Sequence, residues 1–145
     1  MRIEPLDDNN QPAALAYLRR LPYRNAMLLS NVTQLRRQCD VMVAHSSDAV
    51  VGVATHYRAL PFLNLIFAAE YGELLPPLLA TMGQAVPALR QGTITGVMPA
   101  QRAAQLAPYV QLGSLTEELQ MVVEPETLRE RAGEGARRLR ADDLP

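Results

Sequence analysis

The sequence contains no lysine, and among its 145 residues there are only one cysteine and two histidines. Without lysine, a lysine nucleophile and its Schiff-base chemistry are excluded. Cys39 by itself can form neither an internal disulfide nor a thiolate metal site, which suits a reducing compartment and leads us to expect a cytoplasmic protein. His45 and His56 have no Cys or carboxylate at metal-ligand spacing, so no metal is expected. Walker and G-x-G-x-x-G patterns are missing, and no serine sits in a nucleophile elbow. The N-terminus carries Glu4, Asp7 and Asp8 and no apolar export run. The longest apolar stretch, Leu60 to Ala69, is about ten residues long and is broken by Pro61 and Asn64, whereas a membrane span takes roughly 20. A formal net charge of -1, from 14 arginines against 15 acidic residues, gives no pull toward nucleic acid or an anionic membrane.

What is present is the composition of a soluble globular domain, 48% hydrophobic and 20% charged. A chain of this size can bury roughly 68–70% of its unfolded surface. Met1 to Leu6 reads as a short strand, and Asp7, Asp8, Asn9 and Asn10 offer caps for a helix from Pro12 to about Arg20. A second helix is expected over Arg24 to Arg37, because Leu28, Val32 and Leu35 fall on one stripe. Val41 to His45 and the valine-rich run Ala49 to Tyr57 flank the turn residues Ser46, Ser47 and Asp48 and read as an antiparallel hairpin. Phe62 to Ala69 is apolar enough for a central strand covered on both faces. A helix over Pro77 to Leu89, a strand over Thr93 to Met98, a short helix over Pro99 to Ala107 and a strand over Leu115 to Val123 complete the order βααβββαβαβ. Residues 1–124 are thus expected to form the domain. The remaining 125–145, with five arginines and five carboxylates around Gly133 and Gly135, are expected to form a charged linker.

That element order resembles the GNAT acyltransferase superfamily, and several strings are similar to the degenerate N-terminal domain of two-domain bacterial members. They are Asn25 to Asn31, Val50 to Ala54, and Gly96-Val97-Met98-Pro99. The ending Arg138-Leu139-Arg140-Ala141-Asp142-Asp143-Leu144 is similar to the start of the second, catalytic domain. The resemblance implies an α/β (α+β) fold with a mixed, mostly antiparallel central sheet flanked by helices, and acetyl-CoA as the cofactor of the family. In that family a Q/R-x-x-G-x-G/A loop at a helix N-terminus cradles the cofactor's pyrophosphate. Here the junction reads Ala68-Ala69-Glu70-Tyr71-Gly72-Glu73-Leu74-Leu75-Pro76-Pro77, with one glycine. Glu70 and Glu73 place negative charge where phosphates would sit, each repulsion worth roughly 2–3 kcal/mol at ~6 Å in an effective dielectric near 20 before salt screening. Pro76 and Pro77 remove two amide donors. No cofactor-binding residue is therefore expected in this chain.

The family's fourth helix ends in a tyrosine followed by x-x-L-G-F, and Tyr109-Val110-Gln111-Leu112-Gly113-Ser114 keeps that spacing with serine in the last place. The resemblance makes Tyr109 the catalytic candidate, an acid for the departing thiolate of coenzyme A. The plainer reading is a tyrosine at the edge of the core with its hydroxyl in water. His56 is a candidate base for an amine acceptor, or a half-exposed strand histidine. Arg19, Arg20, Arg36 and Arg37 are explained as cations at two helix C-termini. Three functions remain open. One is a noncatalytic N-terminal GNAT-like domain, inactive alone, that packs on a C-terminal catalytic domain and shapes its acceptor site. The others are a self-contained acyl-CoA-dependent N-acetyltransferase with an altered phosphate loop, and an interaction module that forms a homo-oligomer.

Overall fold

The computed structural model describes residues 1–114 and 116–118. In chain order the elements are β1 (Arg2–Pro5), α1 (Gln11–Leu18), α2 (Ala26–Val32), β2 (Cys39–Ser46), β3 (Ala49–Tyr57), β4 (Ile66–Ala69), α3 (Leu75–Ala85) and α4 (Ala100–Leu106), with single 3-10 turns at Arg36–Gln38, Gly72–Leu74 and Pro87–Arg90. The four strands form one antiparallel sheet in the order β1-β2-β3-β4. The mixed α/β class with a mostly antiparallel sheet is as the sequence predicts. The last strand expected at 115–123, the domain limit at 124 and the linker over 125–145 lie, save for 116–118, outside the described residues.

The hairpin sets the layers. β2 and β3 pair from Cys39↔Tyr57 to Ser46↔Ala49 with a bulge between Ala44 and His45, and their valines are buried on both faces. On one face Val41, Val43, Val50 and Val53 pack with Ala14, Tyr17 and Leu18 of α1 and Leu28 and Val32 of α2. On the other, Met42, Ala44, Val51 and Ala54 pack with Leu75, Leu78 and Met82 of α3. At Gly52 the close approach forbids a side chain: a Cβ there would stand 2.7 Å from Cδ2 of fully buried Leu74 and 3.2 Å from the Ala68 carbonyl oxygen. One polar bond crosses the α2 layer, from the buried Asn31 amide to Thr55 Oγ1 at 2.8 Å.

Four elements differ from expectation, each for a local reason. α2 stops at Val32 rather than Arg37, because the Thr33 hydroxyl donates to the Leu29 carbonyl at 2.6 Å and the Leu35 amide reaches back to Ser30. α3 ends at Ala85, since Pro87 cannot continue the ladder. The strand expected over Phe62 to Ala69 begins only at Ile66 and ends the described sheet. Before it, Asn64 accepts from the Tyr57 amide at 2.9 Å and donates to the Tyr57 carbonyl at 2.8 Å, which holds residues 62–64 in a loop. The strand expected over Thr93 to Met98 is one parallel bridge, Asn64↔Thr95, made by Leu65 N–H to Thr95 O and Thr95 N–H to Leu63 O, both 2.9 Å. Glycine is required just beyond it, where a Cβ on Gly96 would lie 2.9 Å from the Leu65 carbonyl oxygen.

Thr55→Val should cost about 1–3 kcal/mol by leaving the Asn31 amide buried and unbonded. Asn31→Leu with Thr55→Val should recover part of that loss, measured by urea unfolding of both single variants and the double variant. Gly52→Ala should cost about 1–3 kcal/mol through overpacking against Leu74, with a lowered urea midpoint as the readout.

Candidate functional site

Past the Thr95 bridge the two chain segments part, and the opening between them is the floor of a cleft of about 820 Å³. Residues 66–70 form one wall, Val97, Met98, Pro99 and Arg102 the other, and the α1–α2 connection closes the cleft with Tyr17, Arg20, Leu21, Arg24, Asn25 and Met27. Pro22 breaks the chain between the two helices, so Arg20 and Arg24 sit in the connection rather than on a helix face. Asn25 pins that connection from below, its buried side-chain amide donating to the Leu18 carbonyl at 2.9 Å.

The backbone direction of β4 follows from its register. Glu70 N–H donates to Val51 O, so by the alternation of an antiparallel ladder residues 66, 68 and 70 turn their backbone groups to β3. Phe67 and Ala69 turn theirs outward, toward the cleft. The Ala69 carbonyl accepts from Arg102 Nη2 at 2.6 Å, and the Glu70 carbonyl accepts from the same nitrogen at 3.0 Å.

Charge in the cleft converges on Tyr17. Arg20 Cζ lies 5.4 Å from the centre of its ring, and Arg20 Nη1 pairs with Glu70 Oε1 at 2.8 Å. Arg24 makes no hydrogen bond or ion pair with the other described residues. Burial, then the Glu70 carboxylate, push the Tyr17 phenol from the usual 10.0 up to about 12, against the pull of Arg102, Arg20 and Arg24.

At the β4–α3 junction few donors remain. The amide of Glu70 goes to Val51, that of Leu74 to Tyr71, that of Leu75 to Gly72, and Pro76 and Pro77 have none. That leaves Tyr71, Gly72 and Glu73. Above them lies α4: Gln105 packs where a Gly72 side chain would point, 3.5 Å from a Cβ there, and Arg102 bonds Gln105 Oε1 at 2.5 Å.

The other candidates fall away from the cleft. Tyr109 lies beyond the end of α4, its amide bonded to the Leu106 carbonyl, 52% exposed and not among the residues lining the cleft. His56 is buried on the α3 side of the sheet, its Nδ1 2.9 Å from the Asn64 carbonyl oxygen. Its register partner is Asp40, while His45 faces Val50 at the other end of the hairpin, so the two histidines are far apart as expected. Among the described residues no group of three potential ligands could hold a metal ion, and no helix is long and apolar enough to cross a membrane. The Cys39 thiol is buried, which pushes its pKa up, against Arg58. Arg36 pairs with Asp8 at 2.6 Å, so tertiary pairing and not the helix dipole accounts for Arg20 and Arg36.

Tyr17, Arg24 and Arg102 carry no sequence motif and were not singled out by spacing. Because the folded protein holds the Tyr17 proton more tightly, the stability this provides is complete below pH 10 and is lost as pH rises to about 12. Ultraviolet titration should show one tyrosine ionising near the top of that window, and Tyr17→Phe should remove that step.

No family model and no curated protein matches the chain. Solved structures do. A mutant of TTHA1254 from Thermus thermophilus superposes with a TM-score of 0.58 at 14% identity, covering 86% of this chain and 99% of that one. A predicted acetyltransferase from Clostridium acetobutylicum, crystallised with acetyl-CoA, matches at 0.55 and 10% identity over 81% and 94%. The aminoglycoside acetyltransferase meta-AAC0020, from an uncultured soil metagenomic sample and in complex with trehalose, matches at 0.54 and 15% over 85% and 96%. At these identities the likeness is one of fold, and it agrees with the sheet and the flanking helices. The chain has the GNAT acetyltransferase fold.

Proposed function

We propose that this chain is a noncatalytic GNAT-like domain that has given up acetyl-CoA and packs on a catalytic acetyltransferase domain in the cytoplasm, helping to shape that domain's acceptor site. The reading takes residues 1–124 as the domain and 125–145 as the linker to the catalytic one. One observation carries it: the junction that would cradle a pyrophosphate has three amides to offer, a carboxylate beside them, and Arg102 and Gln105 of α4 packed over them. A polyanion there would meet Glu70 and Glu73 with few donors to offset the repulsion. The nearly neutral chain and the unpaired Cys39 support the compartment.

A second reading, a self-contained acyltransferase using acetyl-CoA, is favoured by the outward-facing backbone of Phe67 and Ala69, where a pantetheine arm could pair. The Leu65 amide is taken by Thr95 and could not take part. In that reading Tyr109 is the acid.

Thermal melting separates the two. A ligand at a hundred times its Kd adds about 2.7 kcal/mol, on the order of 8 °C for a domain of this size. With millimolar acetyl-CoA the expected shift is below about 1 °C, and Tyr109→Phe should melt like the native chain under both conditions. A shift of several degrees, or acetyl transfer to an amine that Tyr109→Phe slows at least tenfold, would establish the second reading.

A further inference from the structure

The cleft is equipped for a ligand other than a polyanion. Three guanidinium groups line it, Arg20, Arg24 and Arg102, against the two carboxylates Glu70 and Glu118, an excess of one positive charge among the described lining residues. Two of the three are engaged, Arg20 by Glu70 and Arg102 by the carbonyls of residues 69 and 70. Arg24 is the remaining cation, and it is exposed. A guanidinium is a planar fork of donors that matches a carboxylate in two parallel bonds.

Two further features of the cleft select what could carry that carboxylate. The outward-facing N–H and C=O of Phe67 and the N–H of Ala69 have no partner among the described residues, and such a strand edge is satisfied by amide groups spaced along an extended chain. The rim above it is apolar and open: Leu21 is 52%, Met27 48% and Val97 50% exposed. A main chain with apolar side chains and one negative charge fits all three, and it is the chemistry of strand addition at a sheet edge.

The geometry points to an extended peptide of a partner protein as the occupant of this cleft, its main chain adding to the outer edge of β4 at Phe67 and Ala69 and its one carboxylate held by Arg24. The assignment rests on the reading that acetyl-CoA does not occupy the cleft, since the same edge would serve a pantetheine arm. It also gives that reading a means of holding a partner: the partner's peptide can be held through β4 without any contact at the β4–α3 junction. Apolar side chains on the peptide would cover Leu21, Met27 and Val97. Arg20 would remain with Glu70, and so a single charge on the peptide suffices.

The test is a heteronuclear NMR titration of the native chain with the acetylated tetrapeptide Val-Ala-Val-Leu, once as the free acid and once as the C-terminal amide. Arg24→Gln is titrated in parallel, and acetyl-CoA is added in a third series. The free acid should move the amide signals of Phe67 and Ala69 and bind about tenfold more tightly than the amide form, a difference that Arg24→Gln should erase. Equal binding of the two peptides to the native chain overturns the assignment, as does a lack of response at Phe67 and Ala69 up to millimolar peptide. The comparison of acid with amide on the native chain decides even if Arg24→Gln does not fold. If the peptide fails and acetyl-CoA also leaves the spectrum unchanged, the peptide assignment alone is lost. If acetyl-CoA moves these signals, the noncatalytic reading is lost as well.

Discussion

The structure depends on β3 being covered on both faces. Val50 through His56 are all buried, so helices must lie on each side of the sheet, α1 and α2 on one and α3 on the other. Burial on both faces also fixes the register, because a slip by one residue would exchange the two faces of the strand. Gly52 then lets Leu74 and the start of α3 close against the sheet. With β3 fixed, β4 is paired along one side, and among the described residues the other edge of this segment has backbone pairing only at the Thr95 bridge, while the Arg102 side chain bonds the Ala69 carbonyl. The cleft opens beyond that bridge.

Within the cleft, magnitudes decide which interaction does what. The side chains of Arg20 and Glu70 are 60% and 43% exposed, and an ion pair that open to water is worth about 0–1 kcal/mol. The pair therefore does not hold the fold together. Its effect is on charge: it neutralises Arg20 and leaves the junction without a net cation. Arg102 contributes differently, since its bonds to two carbonyls at the end of β4 are charge-assisted and tie α4 across the junction. The amides lost at Pro76 and Pro77 are lost covalently, and no rearrangement of side chains restores them.

Much of the fold was legible because the apolar periods are local. The valine run from Val50 to Val53 and the turn at Ser47 and Asp48 mark the hairpin, and α1, α3 and α4 lie within a few residues of where the stripes and prolines place them. What was not legible came from side chains that bond to distant or unexpected backbone. Thr33 ends α2 early, Asn64 holds the start of the expected fourth strand as a loop, and a single bridge replaces the strand at residues 93–98. The shortage of amide donors at the β4–α3 junction could be read from Pro76 and Pro77, and its carboxylates from Glu70 and Glu73. The cations of the cleft could not, because Arg20, Arg24 and Arg102 come from three separate stretches of chain and share no spacing. Only the tertiary fold brings them to Tyr17.

The central claim is that Arg20 remains with Glu70 and Arg102 with the end of β4 whether or not a coenzyme is offered. The guanidinium Nε–H signals of these two arginines report on it directly in an NMR titration with coenzyme A. The account predicts that millimolar coenzyme A leaves both signals in place, while Glu70→Gln shifts that of Arg20. Movement of both signals with coenzyme A in the native chain, saturating as a phosphate contact would, contradicts it.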